Sequence, residues 1–150
     1  MNNTIRLLVV DDFTAFRQWI RLKLRTNGRF LIAGEAANGR ETIQEASELT
    51  PDLILLDLTL PDMNGLEVQQ ELRRVVPRAK VLFLSGCGDE DIVSHALNNG
   101  AGGYLLKSDA NQELVPAMEA VVLGRTFLSS GLKLTRNAPH PFPYQLAEAT

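Results

Sequence analysis

The chain has 150 residues, of which 45% are apolar, so it is long enough for one domain with a buried core. Its net charge is −3 at neutral pH, so it has no excess of basic residues that would favour nucleic-acid binding. Its one cysteine, Cys87, excludes an internal disulfide framework and favours a reducing compartment. Because the apolar runs are far shorter than the roughly 18 residues of a membrane span, and the first residues do not resemble a signal peptide, we expect a cytoplasmic protein without membrane contact.

Short apolar runs alternate with stretches of helical periodicity. Almost continuous runs of Val, Ile and Leu are typical of a parallel sheet covered by helices on both faces. Right-handed crossovers then give an α/β fold, a doubly wound three-layer domain. Five strands are predicted, each followed by a helix: Ile5–Val10, Phe30–Ala36, Leu53–Leu56, Lys80–Leu84 and Gly103–Leu106.

Polar and helix-breaking residues mark the ends of several elements. Asn64 and Gly65 predict a turn after the third strand. Asp89 and the acidic residues after it suit the start of the fourth helix, and Asn111 is predicted to cap the fifth. Pro116 then lies about one turn inside that last helix, where we expect it to kink or tighten the first turn.

The character of the chain changes after Gly124. Residues 125–150 show no sustained periodicity, and Pro139, Pro141 and Pro143 alternate with other residues, which favours an extended chain. We therefore predict a single domain over residues 1–124 and a tail or linker over residues 125–150, without a complete output domain.

Polar side chains follow four of the predicted strands. Asp11 and Asp12 follow the first strand, Asp57 the third, Ser85 the fourth and Lys107 the fifth. The carboxyl ends of parallel strands form one edge of a doubly wound sheet, and ligands bind there. We therefore expect these five side chains to converge on one site.

Three clustered carboxylates repel one another unless a cation relieves them. Mg²⁺ prefers oxygen ligands, binds one or two carboxylates and shares a phosphate. With Mg²⁺ bound, one carboxylate could attack a phosphoryl group and form an aspartyl-phosphate. Lys107 and Ser85 would then stabilise the charge on the transferred oxygens.

Four motifs in this order closely resemble the receiver domain of two-component response regulators: "LLVVDD", "LILLDLTLPDMNGLEV", "VLFLSG" and "GYLLKSDA". The resemblance covers roughly residues 4–123 and is strongest to the branch that usually carries a LuxR-type helix-turn-helix output domain. It implies a CheY-like, flavodoxin-like sheet with strand order 2-1-3-4-5. It also implies that Asp57 accepts a phosphoryl group from a histidine kinase or phosphotransfer protein, forming 4-aspartylphosphate.

The resemblance implies roles for individual side chains. Asp12 and Asp57 would bind Mg²⁺ together with the backbone carbonyl of Thr59, while Asp11 would hold it through water. Such a domain is a phosphoacceptor with at most slow self-dephosphorylation, so we do not expect an enzyme.

The resemblance also implies a switch. Ser85 and Tyr104 match the family's switch pair, a hydroxyl that moves toward the phosphate and an aromatic ring that turns inward. The surface formed by the fourth helix, fifth strand and fifth helix would then change, and this change would control a partner protein or an effector domain, or allow a homodimer to form. We expect no nucleic-acid binding through this chain unless it is a fragment that has lost an effector domain. Ser108 replaces the proline that usually follows the family's lysine, which argues against a cis peptide there.

Two other functions remain open at this point. A Mg²⁺-dependent phosphatase with an aspartate nucleophile would require a second Asp two positions after Asp57, where this chain has Thr59. A receiver that binds partners regardless of phosphate is the other alternative. Trp19 either packs against the fifth helix or, with Leu22 and a border that includes Arg21, forms a docking patch for a kinase domain.

Overall fold

The computed structural model describes residues 4–134. Within this range, no helix has the length and apolar character needed to cross a membrane. The strands and helices alternate as the sequence predicts. In chain order they are β1 (Ile5–Val10), α1 (Thr14–Leu24), β2 (Phe30–Ala36), α2 (Gly39–Leu49), β3 (Leu53–Leu56), α3 (Gly65–Val75), β4 (Lys80–Ser85), α4 (Glu90–Asn98), β5 (Gly103–Leu106), α5 (Ala110–Val122) and β6 (Phe127–Leu128).

The strands form one parallel sheet in the order β2-β1-β3-β4-β5-β6. The first five lie in the predicted order, which confirms the flavodoxin-like fold. The two-residue strand β6 extends that predicted sheet by pairing with β5. β4 is one residue longer than predicted because Ser85 pairs with Leu106 in the sheet.

The core consists of two apolar layers, one on each face of the sheet. Side chains alternate along a strand, so Leu7 and Val9 of β1 join the layer packed against α1 and α5, while Leu8 and Val10 join the layer packed against α2, α3 and α4. All four side chains are almost fully buried. This double covering explains why the strands are continuously apolar.

Helix ends follow local capping chemistry in two of the predicted places. Asn64 caps α3 through a capping box with Glu67, and Asp89 caps α4 by accepting backbone N–H groups. The prediction that Asn111 caps the last helix is wrong, because α5 begins at Ala110. A 3₁₀ turn over Lys107–Asp109 leads directly into this helix and moves its start toward β5.

The segment after α5 packs against the domain as far as it is described. Ser129 donates its backbone N–H to the Tyr104 carbonyl at 3.0 Å, and Gly131 donates to the Asp109 carboxylate at 2.8 Å. The predicted boundary between residues 124 and 125 remains a prediction. The alternating prolines lie outside the described residues.

Candidate functional site

Three carboxylates meet at the carboxyl-terminal edge of the sheet. β1 and β3 are neighbours, with Val10 opposite Leu56, so the residues that follow them lie side by side. One carboxylate oxygen from each of Asp11, Asp12 and Asp57 lies within 4.8 Å of the others. Asp11 and Asp57 are only 2% and 6% exposed, whereas Asp12 is open to solvent. The predicted cluster therefore forms, with two of its members buried.

Lys107 joins this cluster from the end of β5. Its Nζ atom lies 2.7 Å from Asp11 Oδ2 and 3.4 Å from Asp57 Oδ2, so one ammonium group bridges the two buried carboxylates. Burial by itself would lower the pKa of Lys107. The hydrogen bond with Asp11 and the negative charges of both carboxylates outweigh that effect and raise the pKa, which keeps the ammonium group charged.

Asp57 is held in an environment that disfavours its ionised form. Burial first, and then the negative charge of Asp11, raise its pKa from 3.8 to a net value of about 6. The Lys107 ammonium group and the backbone N–H of Thr59, 3.4 Å from Asp57 Oδ1, act in the opposite direction. The carboxylate thus lacks part of the positive charge that would balance it, which a bound cation would provide.

Asp11 is fixed by contacts that the sequence did not reveal. Its Oδ1 accepts the Phe13 backbone N–H at 2.8 Å, and its carbonyl accepts a hydrogen bond from the Arg17 guanidinium group. Arg17 also pairs with Glu35 on β2 at 2.9 Å. These contacts tie the β1–α1 turn to the edge strand and hold the buried carboxylate in place. No sequence motif pairs Arg17 with Glu35, because the two residues meet only through the fold.

The two candidate switch residues are linked through Cys87. Ser85 Oγ accepts the Cys87 backbone N–H at 3.0 Å, and the Tyr104 hydroxyl group donates to the Cys87 carbonyl at 2.6 Å. Tyr104 is fully buried and stacks on Phe83, with ring centroids 5.8 Å apart. Burial raises the pKa of the Tyr104 phenol. The aromatic ring therefore already points inward, and one loop residue connects it to the serine.

The loop after Asp57 is anchored at two points. Thr59 pairs with Asn64 across the loop, and the Asp62 carboxylate accepts the backbone N–H groups of Gly39 and Arg40 at the start of α2. These hydrogen bonds lower the pKa of Asp62. Thr59 approaches Asp57 through its N–H group, and the role of its carbonyl as a metal ligand remains a prediction. The Lys107–Ser108 peptide is trans, as are the other peptides of residues 4–134.

The donor set fits Mg²⁺. Carboxylate oxygens from three residues lie close enough to share one ion, and hard oxygen donors are what Mg²⁺ prefers. Because Asp12 is exposed, the cluster also opens to solvent, where waters and a phosphate could complete the ligand shell.

Comparison with known proteins gives a consistent result. The family described as response regulator receiver domain matches residues 7–119. The chain is 34% identical over 116 residues to the chemotaxis protein CheY of Thermotoga maritima, covering 77% of this chain and 96% of CheY. The signal receiver domain of NarL from Mycobacterium tuberculosis superposes with a TM-score of 0.77 at 32% identity, over 82% of this chain and 99% of that domain.

The chain also resembles larger regulators. It is 33% identical over 135 residues to the transcriptional regulatory protein DegU of Brevibacillus brevis, covering 90% of this chain and 56% of DegU. The chain therefore spans little more than half the length of that relative. The chain is thus similar to CheY over almost the whole of that protein, and to DegU over only part of a longer protein.

Proposed function

The chain belongs to the receiver domain family of two-component response regulators, and we propose that Asp57 is its phosphoacceptor. The phosphoryl donor is a histidine kinase or a phosphotransfer protein. The observation that carries this proposal is the bridge from Lys107 to two buried carboxylates, 2.7 Å from Asp11 and 3.4 Å from Asp57. Such a bridge puts a fixed positive charge beside the carboxylate that is to receive negatively charged oxygens.

The residues of the acidic cluster would hold Mg²⁺. Asp12 and Asp57 are the proposed direct ligands with the Thr59 carbonyl, and Asp11 is the proposed ligand through water. When bound, Mg²⁺ supplies positive charge that offsets the charge of the phosphoryl oxygens. Its presence would also lower the raised pKa of Asp57 and favour the ionised nucleophile.

The transfer itself requires few protein groups. An oxygen of the ionised Asp57 carboxylate attacks phosphorus, the P–N bond of the donor phosphohistidine breaks, and the imidazole leaves with the electron pair. Lys107 stabilises the oxygens that carry the charge during this exchange. The product is an acyl phosphate on a side chain that the rigid end of β3 holds in position.

The phosphoryl group would then act on the switch residues. Ser85 would give up the hydrogen bond that its Oγ accepts from the Cys87 N–H and would donate its hydroxyl group to a phosphoryl oxygen. The loop that also binds the Tyr104 hydroxyl group would move with it. Phosphorylation adds charge and acceptor oxygens that favour one of two conformations. We propose that the surface of α4, β5 and α5 transmits this change to a partner, a second copy or an effector domain that regulates transcription.

Acetyl phosphate and phosphoramidate provide a direct test without a kinase. In the presence of Mg²⁺, intact-protein mass spectrometry should show one added phosphoryl group on the wild type and none on Asp57→Asn. Asp52→Asn is the matched control, because Asp52 lies at the other end of β3 and is exposed. A phosphoryl group on Asp57→Asn, or none on the wild type, would exclude the proposal.

The two alternative functions give different results in the same preparations. Repeated turnover of an external phosphomonoester would support the phosphatase, which lacks its expected second aspartate here. Partner affinity that is equal for the wild type and Asp57→Asn, with and without phosphoryl donor, would support a binding module that ignores phosphate. Light scattering before and after phosphorylation would detect the proposed homodimer.

A further inference from the structure

The Lys107 ammonium group has a third neighbour besides the two carboxylates. Its Nζ atom lies 4.7 Å from the centroid of the Phe16 ring, within the range of a cation–π contact. Phe16 lies in the first turn of α1, and its side chain is half-buried against the core layer that also contains α5. A side chain of α1 therefore contacts Lys107, which directly follows β5.

The Phe16 ring is itself held in place. It stacks on Trp19 with centroids 5.5 Å apart and an interplanar angle of 22°. Lys23 lies 5.9 Å from the Trp19 ring and donates to the Asn111 carbonyl in α5 at 2.6 Å. The stacked rings of Phe16 and Trp19 therefore lie between the ammonium groups of Lys107 and Lys23. The hydrogen bond to α5 restrains Lys23.

A neutral ring can restrain a lysine in a way that a third carboxylate cannot. The lysine side chain is long and flexible, and holding it in one geometry costs conformational entropy. The ring attracts the ammonium group through its quadrupole and carries no net charge. Lys107 therefore keeps its positive charge while its movement is limited to the space between Asp11 and Asp57.

We propose that Phe16 is a positioning residue for phosphoryl transfer to Asp57, because the face of its ring holds the Lys107 ammonium group at the two carboxylates. This inference rests on the proposed function for its reaction. Its geometry can be tested separately. Packing in the core layer, including the stack on Trp19, is the competing explanation, and under it the effect of losing the ring would not depend on Lys107.

The kinetic test compares Phe16→Leu with Phe16→Tyr. With phosphoramidate and saturating Mg²⁺, Phe16→Leu should lower the maximal phosphorylation rate by about fivefold without changing the half-saturating phosphoramidate concentration, whereas Phe16→Tyr should retain most of the rate. Phe127→Leu serves as the control, since Phe127 is a half-buried ring of the same core layer on β6, away from Lys107. Equal rates for the wild type and Phe16→Leu would overturn the proposal.

A double-mutant cycle identifies the residue through which Phe16 acts. In a Lys107→Met background, Phe16→Leu should cause no further loss of rate, because the group it positions is gone. The same fivefold loss in both backgrounds would assign Phe16 a packing role and contradict the proposal.

Nuclear magnetic resonance tests the contact without any phosphorylation. Methylene protons of Lys107 that lie over the Phe16 ring should be shifted upfield, and the shift should disappear in Phe16→Leu and persist in Phe16→Tyr. Assignment follows from the signals that Lys107→Met removes. Unshifted Lys107 signals in the wild type would overturn the proposal, while a wild type that shows the shift but takes up no phosphoryl group would contradict only the proposed function.

Discussion

An aspartate flanks β3 at each of its ends, and the surroundings of the two side chains differ. Asp52 precedes the strand, is exposed, and accepts the Arg6 backbone N–H at 2.8 Å. Asp57 follows the strand, is 6% exposed, and faces a second buried carboxylate and one ammonium group. The carboxyl group before the strand is open to solvent, whereas the one after it is buried and has a pKa of about 6. Surroundings, more than residue type, define the reactive position.

The two edges of the sheet show the same difference on a larger scale. A cleft of about 780 Å³ lies at the amino-terminal edge, where Asp52, Arg29 and Lys80 are among its lining residues. The carboxyl-terminal edge has the buried carboxylates and their lysine. The volume of the cleft does not indicate the reactive site, because chemistry requires charges that are held close together and shielded from water.

The largest expected effect comes from removing the bridging charge. Lys107→Met should lower the rate of Asp57 phosphorylation by acetyl phosphate about a hundredfold, because the transferred oxygens lose a fixed positive partner. Lys80→Met, a change of the same kind at the start of β4, should leave the rate unchanged. Intact-protein mass spectrometry over time, at the same Mg²⁺ concentration, measures the phosphorylation rates of both variants. Similar losses of rate in Lys107→Met and Lys80→Met would contradict a special role for the lysine at the carboxyl-terminal edge.

The raised pKa of Asp57 predicts an effect on stability that depends on pH. Since the pKa is 3.8 in the unfolded chain and about 6 in the folded one, the folded state retains a proton that the unfolded state releases. The wild type therefore loses stability as the pH rises through this window. Without Mg²⁺, Asp57→Asn should raise the free energy of unfolding at pH 7.5 by about 2 kcal/mol, and the gain should shrink toward pH 4.

Urea unfolding in a chelating buffer at several pH values measures this gain. Asp52→Asn is again the matched control and should show no comparable gain at pH 7.5. A stabilisation of Asp57→Asn that is the same at pH 4.5 and pH 7.5 would mean that ionisation of the buried carboxylate is not its cause.

Metal binding should depend on the exposed member of the cluster. Asp12→Asn removes one negative oxygen ligand, so the affinity for Mg²⁺ should fall by about tenfold or more. Fluorescence of Trp19, the single tryptophan of the chain, can follow the titration, because it stacks on the ring that contacts Lys107. Asp52→Asn should bind Mg²⁺ as the wild type does, and an unchanged affinity in Asp12→Asn would remove Asp12 from the ligand set.

The smallest expected effect concerns the turn behind Asp57. A Cβ atom on Gly65 would lie 2.6 Å from the Asp57 carbonyl oxygen and 2.8 Å from Leu58 Cα, both of which are backbone atoms that cannot rotate away. Gly65→Ala should therefore cost at least about 1 kcal/mol of unfolding free energy. Gly28→Ala, which meets no atom within 4 Å, should cost much less, as thermal unfolding of the two variants would show.

The strands and the acidic cluster followed closely from the sequence. Buried parallel strands must be apolar, so the run Leu53–Leu56 begins and ends as predicted, and the polar residue after it had to lie at the sheet edge. Asp11 and Asp57 therefore meet as expected, and Lys107 joins them. The continuous apolar strands and the polar residues that follow them can be read from local patterns. The strand order, which brings Asp11 beside Asp57, was implied by the resemblance to receiver domains.

Contacts between distant side chains could not be read in the same way. Phe16 shares a helical face with Ile20 in the sequence, which predicts core packing and says nothing of Lys107, 91 positions later. Trp19 joins the core layer that contains α5, as the packing alternative predicts, and its role in docking a kinase remains a hypothesis. β6 was missed because two paired residues leave no periodicity to detect.

β6 has a consequence for how copies of this chain can associate. Phe127 and Ser129 donate their N–H groups to the carbonyls of Gly102 and Tyr104, so the chain itself occupies the hydrogen-bonding edge of β5. Open strand edges invite another chain to extend the sheet, and covered edges do not. β6, now at the edge of the sheet, is only two residues long and offers little backbone for pairing. We therefore expect assembly through this side to use side-chain contacts, whose fit can depend on the state of the switch.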